Sequence, residues 1–188
     1  MGVSADERTD LEVLAAAVAG DPRAFAVLWD RHRDRVFGHA LRLTRVRADA
    51  EDATAIVFLE AWRKQSHIRD IDGSILPWLL VTTTNVCRNL QRAGRRYRAA
   101  LDTLPHVTDR REPTGTNLDL QTALRALPPV DQQLLALTLE GYSTAEAAQA
   151  VGLSPGAART RLTRARQRLR TQLGPALTAE IAAQEGPR

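Results

Sequence analysis

Lysine is almost absent from this chain, with Lys64 alone against 25 arginines, and that bias points to arginine-favouring codon usage. An arginine-rich helix is therefore a weaker sign of function here than it would be elsewhere. Cysteine is nearly absent too. Cys87 stands alone, which excludes an internal disulfide and a cysteine-based zinc site and fits a reducing cytoplasm. Inside a helical stretch it reads as a small buried apolar residue. Aromatic residues make up only 4% of the chain, so cores built from Leu, Ala and Val are expected. No apolar run approaches the roughly 20 residues that span a bilayer, and the polar Met1 end carries no signal peptide pattern. A cytoplasmic protein without membrane contact is expected. His32, His39, His67 and His106 are scattered, and His32 with His39 reads as a surface or core pair rather than a metal site. There is no phosphate-binding glycine loop and no nucleophile motif, so no catalytic residue, cofactor or metal is expected.

Two further absences are informative. No acid occurs from Ala147 to Ala179 or from Gly73 to Leu101, although the whole chain of 188 residues has a net charge of only +4. Two basic tracts of this kind suggest two contacts with one polyanion. The later tract has the more specific pattern. Ser143-Thr144-Ala145-Glu146 has capping-box spacing and predicts a helix through Ala147, Ala148, Ala150 and Val151. Gly152 ends it, Leu153 packs beneath the turn, and Ser154-Pro155 opens a second helix that runs to Leu173. That helix carries Arg159, Arg161, Arg164, Arg166, Arg168 and Arg170, while Ala158, Leu162, Ala165 and Leu169 fall on one face. A short helix, a turn and a basic amphipathic helix describe a helix-turn-helix that places side chains in a DNA major groove.

The fold expected is all-α: two small helical bundles joined by a flexible linker. The first bundle, 10–96, has helices at Asp10–Ala19, from Asp21-Pro22 through Phe25, Leu28, Val36 and Leu43 to Thr44, at Ala48–Gln65, and at Pro77–Arg96. Ser66–Ser74 reads as a polar connector. Between Tyr97 and Asn117 periodicity fails, and Pro105, Pro113 and Gly115 mark the linker, 97–117. The second bundle, 118–173, adds helices at Leu118–Leu127 and Val130–Glu140 to the helix-turn-helix, and the tail 174–188 is expected to fray.

Several segments together resemble the extracytoplasmic-function (ECF) group of bacterial RNA polymerase sigma factors, from about Gly20 to Leu173. Phe25-x-x-Leu28-Trp29-Asp30-Arg31-His32 resembles the opening of sigma domain 2. Asp49-Ala50-Glu51-Asp52 with Val57-Phe58-Leu59-Glu60-Ala61-Trp62-Arg63 resembles its second helix, and Trp78-Leu79-Leu80 with Asn85-Val86-Cys87-Arg88-Asn89 its promoter-reading helix. Leu127-Pro128-Pro129, Leu139-Glu140-Gly141-Tyr142-Ser143 and the stretch from Ser154 to Leu162 resemble domain 4. The resemblance implies a transcription initiation factor that binds core RNA polymerase, directs it to promoter DNA and helps open the strands. It admits an anti-sigma factor as a further partner, and the free protein is expected to be a monomer.

The resemblance also implies site residues. Asp49, Glu51, Asp52, Ala55, Ile56 and Leu59 would contact core polymerase, with Ala55 and Ile56 standing where the family has a Gln-acid pair. Asn85 would capture a flipped −10 base of the non-template strand. Trp78, Arg88, Asn89, Arg92, Arg95 and Arg96 would accompany it, with Trp78 either a core residue or a wedge at the duplex edge. Val81-Thr82-Thr83 departs from the family's arginine and Ile-Ala pair. The connector from His67 to Leu76 would form one wall of the base pocket. At the −35 element Ser154 opens the recognition helix. Arg159, Thr160, Thr163 and Arg164 are the expected base readers, because only the first turns of such a helix enter the groove. Arg166, Arg168 and Arg170 are expected on phosphates, and Arg161 in a flank contact. The rival readings are a dimeric repressor or activator on a palindromic operator, an RNA-binding protein (for which exposed aromatics are few) and, more distantly, an enzyme.

Overall fold

The computed structural model describes residues 8–21, 23–101 and 117–173. Eight helices are found among these residues: α1 Asp10–Val18, α2 Ala24–Thr44, α3 Arg47–Arg63, α4 Leu76–Leu101, α5 Asn117–Ala126, α6 Pro129–Leu139, α7 Thr144–Val151 and α8 Pro155–Leu173. The chain divides into two compact units, Met1–Arg95 and Arg96–Arg188. Residues 102–116 of the expected linker and the whole tail 174–188 lie outside the described residues.

In the first unit, α1 starts at a complete capping box. The Thr9 amide donates to Glu12 Oε2 at 2.7 Å and the Glu12 amide to Thr9 Oγ1 at 3.3 Å. Small residues on α3 (Ala50, Ala53 and Ala61, all fully buried) present no bulk, so larger side chains of α2 such as Leu28 and Val36 fill the space against them. Phe58 closes this core, with Phe25 edge-on at 6.3 Å and Trp29 tilted at 4.6 Å between ring centroids. The expected polar connector is partly apolar. A 3-10 turn, Gln65–His67, leads to Ile68 and Ile71, both buried. Asp72 and Gly73 then form a two-residue reversal with φ of 54° and 78°, closed by Ile71 and Ser74 exchanging hydrogen bonds of 2.9 and 3.1 Å.

Helix α4 continues past Arg96, the expected end, to Leu101. Tyr97–Leu101 has lost its apolar periodicity but contains neither proline nor glycine. Its Arg, Ala and Leu residues favour helix, so backbone propensity carries the element beyond its buried face.

In the second unit, Pro129 sits in the first turn of α6, and Gln132 turns back to cap α5. Its side-chain amide donates to the carbonyls of Leu127 at 2.9 Å and Arg125 at 3.3 Å, which would otherwise be orphaned at the helix end. Leu134, Leu137, Ala147, Ala148, Ala158, Leu162, Ala165 and Leu169 are among the unit's buried residues.

Candidate nucleic-acid interfaces

The turn between α7 and α8 is built as its spacing predicts. The Ser143 amide donates to Glu146 Oε2 at 2.6 Å and the Glu146 amide to Ser143 Oγ at 3.3 Å. These bonds hold the exposed Glu146 carboxyl below its usual range. Gly152 takes a left-handed conformation, φ 71°, which a side chain would strain, and the Leu153 amide closes on the Ala148 carbonyl at 2.9 Å. Ser154 then caps α8, its Oγ accepting from the Ala157 amide at 3.3 Å.

This start sets the roll of α8. Ala158, Leu162, Ala165 and Leu169 are buried, which leaves Arg159, Thr160, Thr163 and Arg164 exposed on its early turns. The hydroxyls of Thr160 and Thr163 donate to the carbonyls of Gly156 at 3.1 Å and Arg159 at 3.0 Å. Their protons are thus committed, and outward they offer a methyl group and an acceptor oxygen, which suit a thymine methyl or a base amino group.

Arg161 and Arg168, both expected at the −35 element, have a partner inside the unit. Asp131 on α6 is buried, and Arg161 Nε lies 3.2 Å from its Oδ1 while Arg168 Nη1 lies 3.6 Å from its Oδ2. The first contact is an ion pair whose angles fall short of a hydrogen bond. A buried carboxylate needs counter-charge, so it draws both guanidiniums towards α6, whereas the sequence directs them outward to DNA. Sequence reading missed Asp131; an acid inside the apolar run Leu127–Leu139 is the signal that could have found it.

On α4 the exposed face carries Asn85, Asn89, Arg92, Arg95 and Arg96, with Arg88 half-buried. Burial, then the nearby charges of Arg92 and Arg95, hold the Arg88 guanidinium below its usual range. Repelled cations of this kind are relieved by a polyanion. Trp78 packs half-buried against the core, which favours the core alternative for it. The opposite face is fixed to α2 by two polar bonds. His39 Nε2 meets Thr84 Oγ1 at 2.9 Å, and the Gln91 amide donates to the Leu43 carbonyl at 2.9 Å. Because Thr84 gives its own proton to the Leu80 carbonyl, His39 donates Nε2–H to the Thr84 oxygen. Burial, with Arg42 adding to it, pushes the His39 pKa down to about 3.

The candidate polymerase face lies on α3. Asp49, Glu51, Asp52, Ala55 and Leu59 are exposed and Ile56 is half-buried, with Glu51 paired to Arg47 at 2.8 Å. Trp62, one turn beyond Leu59, is 43% exposed and extends the apolar end of this face while its ring packs edge-on to Phe25 at 5.2 Å. The i, i+3 spacing from Leu59 could have added it to the expected set. Among the described residues no group of three or more His, Cys, Asp or Glu could hold a metal ion, and no helix is long and apolar enough to cross a membrane.

Comparison with known proteins agrees with this geometry. Residues 28–97 match the model of Sigma-70 region 2 and residues 117–169 that of Sigma-70, region 4. SigM of Mycobacterium tuberculosis, an ECF RNA polymerase sigma factor, is 37% identical over 171 residues, which span 89% of this chain and 86% of that protein. The chain belongs to the ECF RNA polymerase sigma factors. CarQ of Myxococcus xanthus, an RNA polymerase sigma factor, is 32% identical over 87% of this chain and 96% of its own. Among solved structures, CnrH in complex with the cytosolic domain of CnrY is 27% identical with a TM-score of 0.62, covering 87% of this chain and 96% of that one. RpoE of Bartonella quintana shares the fold at 22% identity and a TM-score of 0.58, over 80% of this chain and 97% of that one. As an ECF sigma factor, the protein is a transcription initiation factor that directs RNA polymerase to promoters.

Proposed function

We propose that the two units carry one promoter contact each and that the first also binds core polymerase and helps open the DNA. The observation that carries this reading is the exposed row Arg159, Thr160, Thr163 and Arg164, set by a capped turn within a stretch of sequence, Ala147 to Ala179, that contains no acid. These residues read −35 bases, with Ser154 at the helix entry. Arg166, Arg168 and Arg170 meet phosphates, and Arg168 reaches them by leaving Asp131. Arg161 remains with Asp131 at the flank of the contact.

In the first unit, Asn85 captures a base of the opened −10 strand, since its amide both donates and accepts at a base edge. Arg88, Asn89, Arg92, Arg95 and Arg96 hold the strand backbone beside it. The connector from His67 to Leu76 forms a wall of the same pocket, and Trp78 supports it from the core. The α3 face, from Asp49, Glu51 and Asp52 through Ala55, Ile56 and Leu59 to Trp62, binds the polymerase. Nucleotide addition belongs to the polymerase. The factor acts in the cytoplasm as a monomer when free, with an anti-sigma factor as a further partner; a protein partner is supported by CnrH, which is solved in complex with the cytosolic domain of CnrY.

Run-off transcription with purified core polymerase tests the whole reading. Specific transcripts are expected only when the protein is added; equal transcription without it, or none with it on any promoter library, overturns the reading.

A further inference from the structure

Helix α1 precedes the region 2 match at 28–97, and none of the interfaces above uses it. Its first residue, Asp10, nevertheless accepts four hydrogen bonds at its carboxylate. Oδ1 accepts from Arg31 Nη1 at 3.0 Å. Oδ2 accepts from His32 Nε2 at 2.6 Å, from Ser74 Oγ at 3.1 Å and from the Ile75 amide at 2.9 Å. The Asp10 amide donates to the Gly73 carbonyl at 3.2 Å. An ionised carboxylate can only accept, so His32 presents Nε2–H and its Nδ1 is left buried without a partner. Burial opposes ionisation of Asp10, but the bonds from His32, Ile75 and Arg31 outweigh it and hold the carboxyl well below its usual range.

Three of these contacts fall on consecutive residues, Gly73, Ser74 and Ile75, between the Asp72–Gly73 reversal and the first turn of α4. A reversal closed by a single bridge is marginal alone; besides Asp10 it is held by Asp70, whose Oδ2 accepts from the Gly73 amide at 2.9 Å, and by the buried Ile71. The Ile75 amide is also one of the donors left open at the start of α4, where negative charge is favoured by the helix dipole. We propose that Asp10 is a positioning residue for promoter opening: α1 braces the connector at Ser74 and Ile75 and so sets the wall of the pocket that receives the captured base. This rests on the assignment of Asn85 and the connector to that pocket.

The test compares full-length Asp10→Asn, Ser74→Ala, Val13→Ala and Asn85→Ala with core polymerase at matched occupancy. It reads permanganate reactivity of promoter thymines and hydrogen exchange of the Ile75 amide. Asp10→Asn is expected to speed Ile75 exchange and slow opening, each by about tenfold, with −35 duplex binding unchanged. Ser74→Ala removes the loop-side donor to Asp10 together with the acceptor of the Leu76 amide, and keeps the test decisive if Asp10→Asn does not fold; it should slow opening in the same direction. Val13, fully buried in α1, supplies the structural control. If Val13→Ala, at equal loss of stability, slows opening as much as the brace variants, α1 only stabilises the unit and the proposal falls. Wild-type opening by Asp10→Asn and Ser74→Ala also overturns it. Asn85→Ala separates the two ideas: wild-type opening there removes base capture, while Ile75 exchange and the comparison with Val13→Ala judge the brace by themselves.

Discussion

The guanidinium of Arg161 on the recognition helix lies 3.2 Å from the buried carboxylate of Asp131 on α6. The roll of α8 is thus held by a charge pair as well as by its alanine and leucine stripe. A side chain expected in a flank contact with DNA is here paired to a buried acid.

Opposite signs separate a strut from a DNA contact. By charge alone, Asp131→Ala should strengthen binding to DNA. If Asp131 holds α8 through Arg161, the same change should weaken −35 duplex binding by about tenfold, or about 1.4 kcal/mol. Arg161→Ala should match it without altering the salt slope, since no phosphate contact is lost. Fluorescence anisotropy at two salt concentrations measures both. Tighter binding by Asp131→Ala would place Arg161 on the DNA instead.

Arg164 and Arg170 should behave differently from each other. Arg164→Ala is expected to cost about 1–3 kcal/mol at one base position of the −35 element, whereas Arg170→Ala should weaken all sequences alike and reduce the salt slope by about one. Titration of a specific and a scrambled duplex distinguishes them. Equal losses on both duplexes for Arg164→Ala would remove it from the base readers.

Asn85→Ala should leave binding to the isolated −35 duplex and to core polymerase unchanged and impair open-complex formation. A few kcal/mol of lost stacking would no longer be offset by a bonded base edge. Permanganate footprinting of the −10 region reads this directly, and wild-type thymine reactivity would exclude the capture role.

His39 predicts a pH dependence of the first unit. Its pKa is pushed from the usual imidazole value to about 3 in the folded state, so between these values only the unfolded chain takes up the proton. Stability therefore falls as pH drops from about 6.5 towards 3, by up to about 1.4 kcal/mol per pH unit. Asp10 has the opposite origin, a carboxyl held ionised, and its contribution is lost only below about pH 4. Urea unfolding followed by tryptophan fluorescence reports on this unit, since Trp29, Trp62 and Trp78 all lie within it. His39→Gln should flatten the slope between pH 6.5 and 4.5; an unchanged slope would assign it to another group.

The amino-acid sequence by itself determined what is local. The Ser143–Glu146 box, the left-handed Gly152, the Ser154 cap and the stripe from Ala158 to Leu169 each depend on residues within a few turns. Their chemistry is therefore complete in the sequence, and the exposed row from Arg159 to Arg164 follows from it. The order and spacing of the motifs also sufficed for the family. Helix ends were legible only where a cap or breaker marks them, and α4 ran on to Leu101 because nothing in Tyr97–Leu101 opposes it.

Tertiary structure decided the rest, because burial turns a polar side chain into one that must find a partner wherever the fold supplies it. Asp10 reaches the Ile75 amide across 65 residues, and His39 reaches Thr84 across 45. Asp131 withdraws Arg161 and Arg168 from the face that their spacing gives them, and Ile68 and Ile71 anchor a connector that reads as polar. No periodicity encodes such pairs. They form when packing removes water from a carboxylate or an imidazole, and the cost of leaving that group unpaired selects its partner.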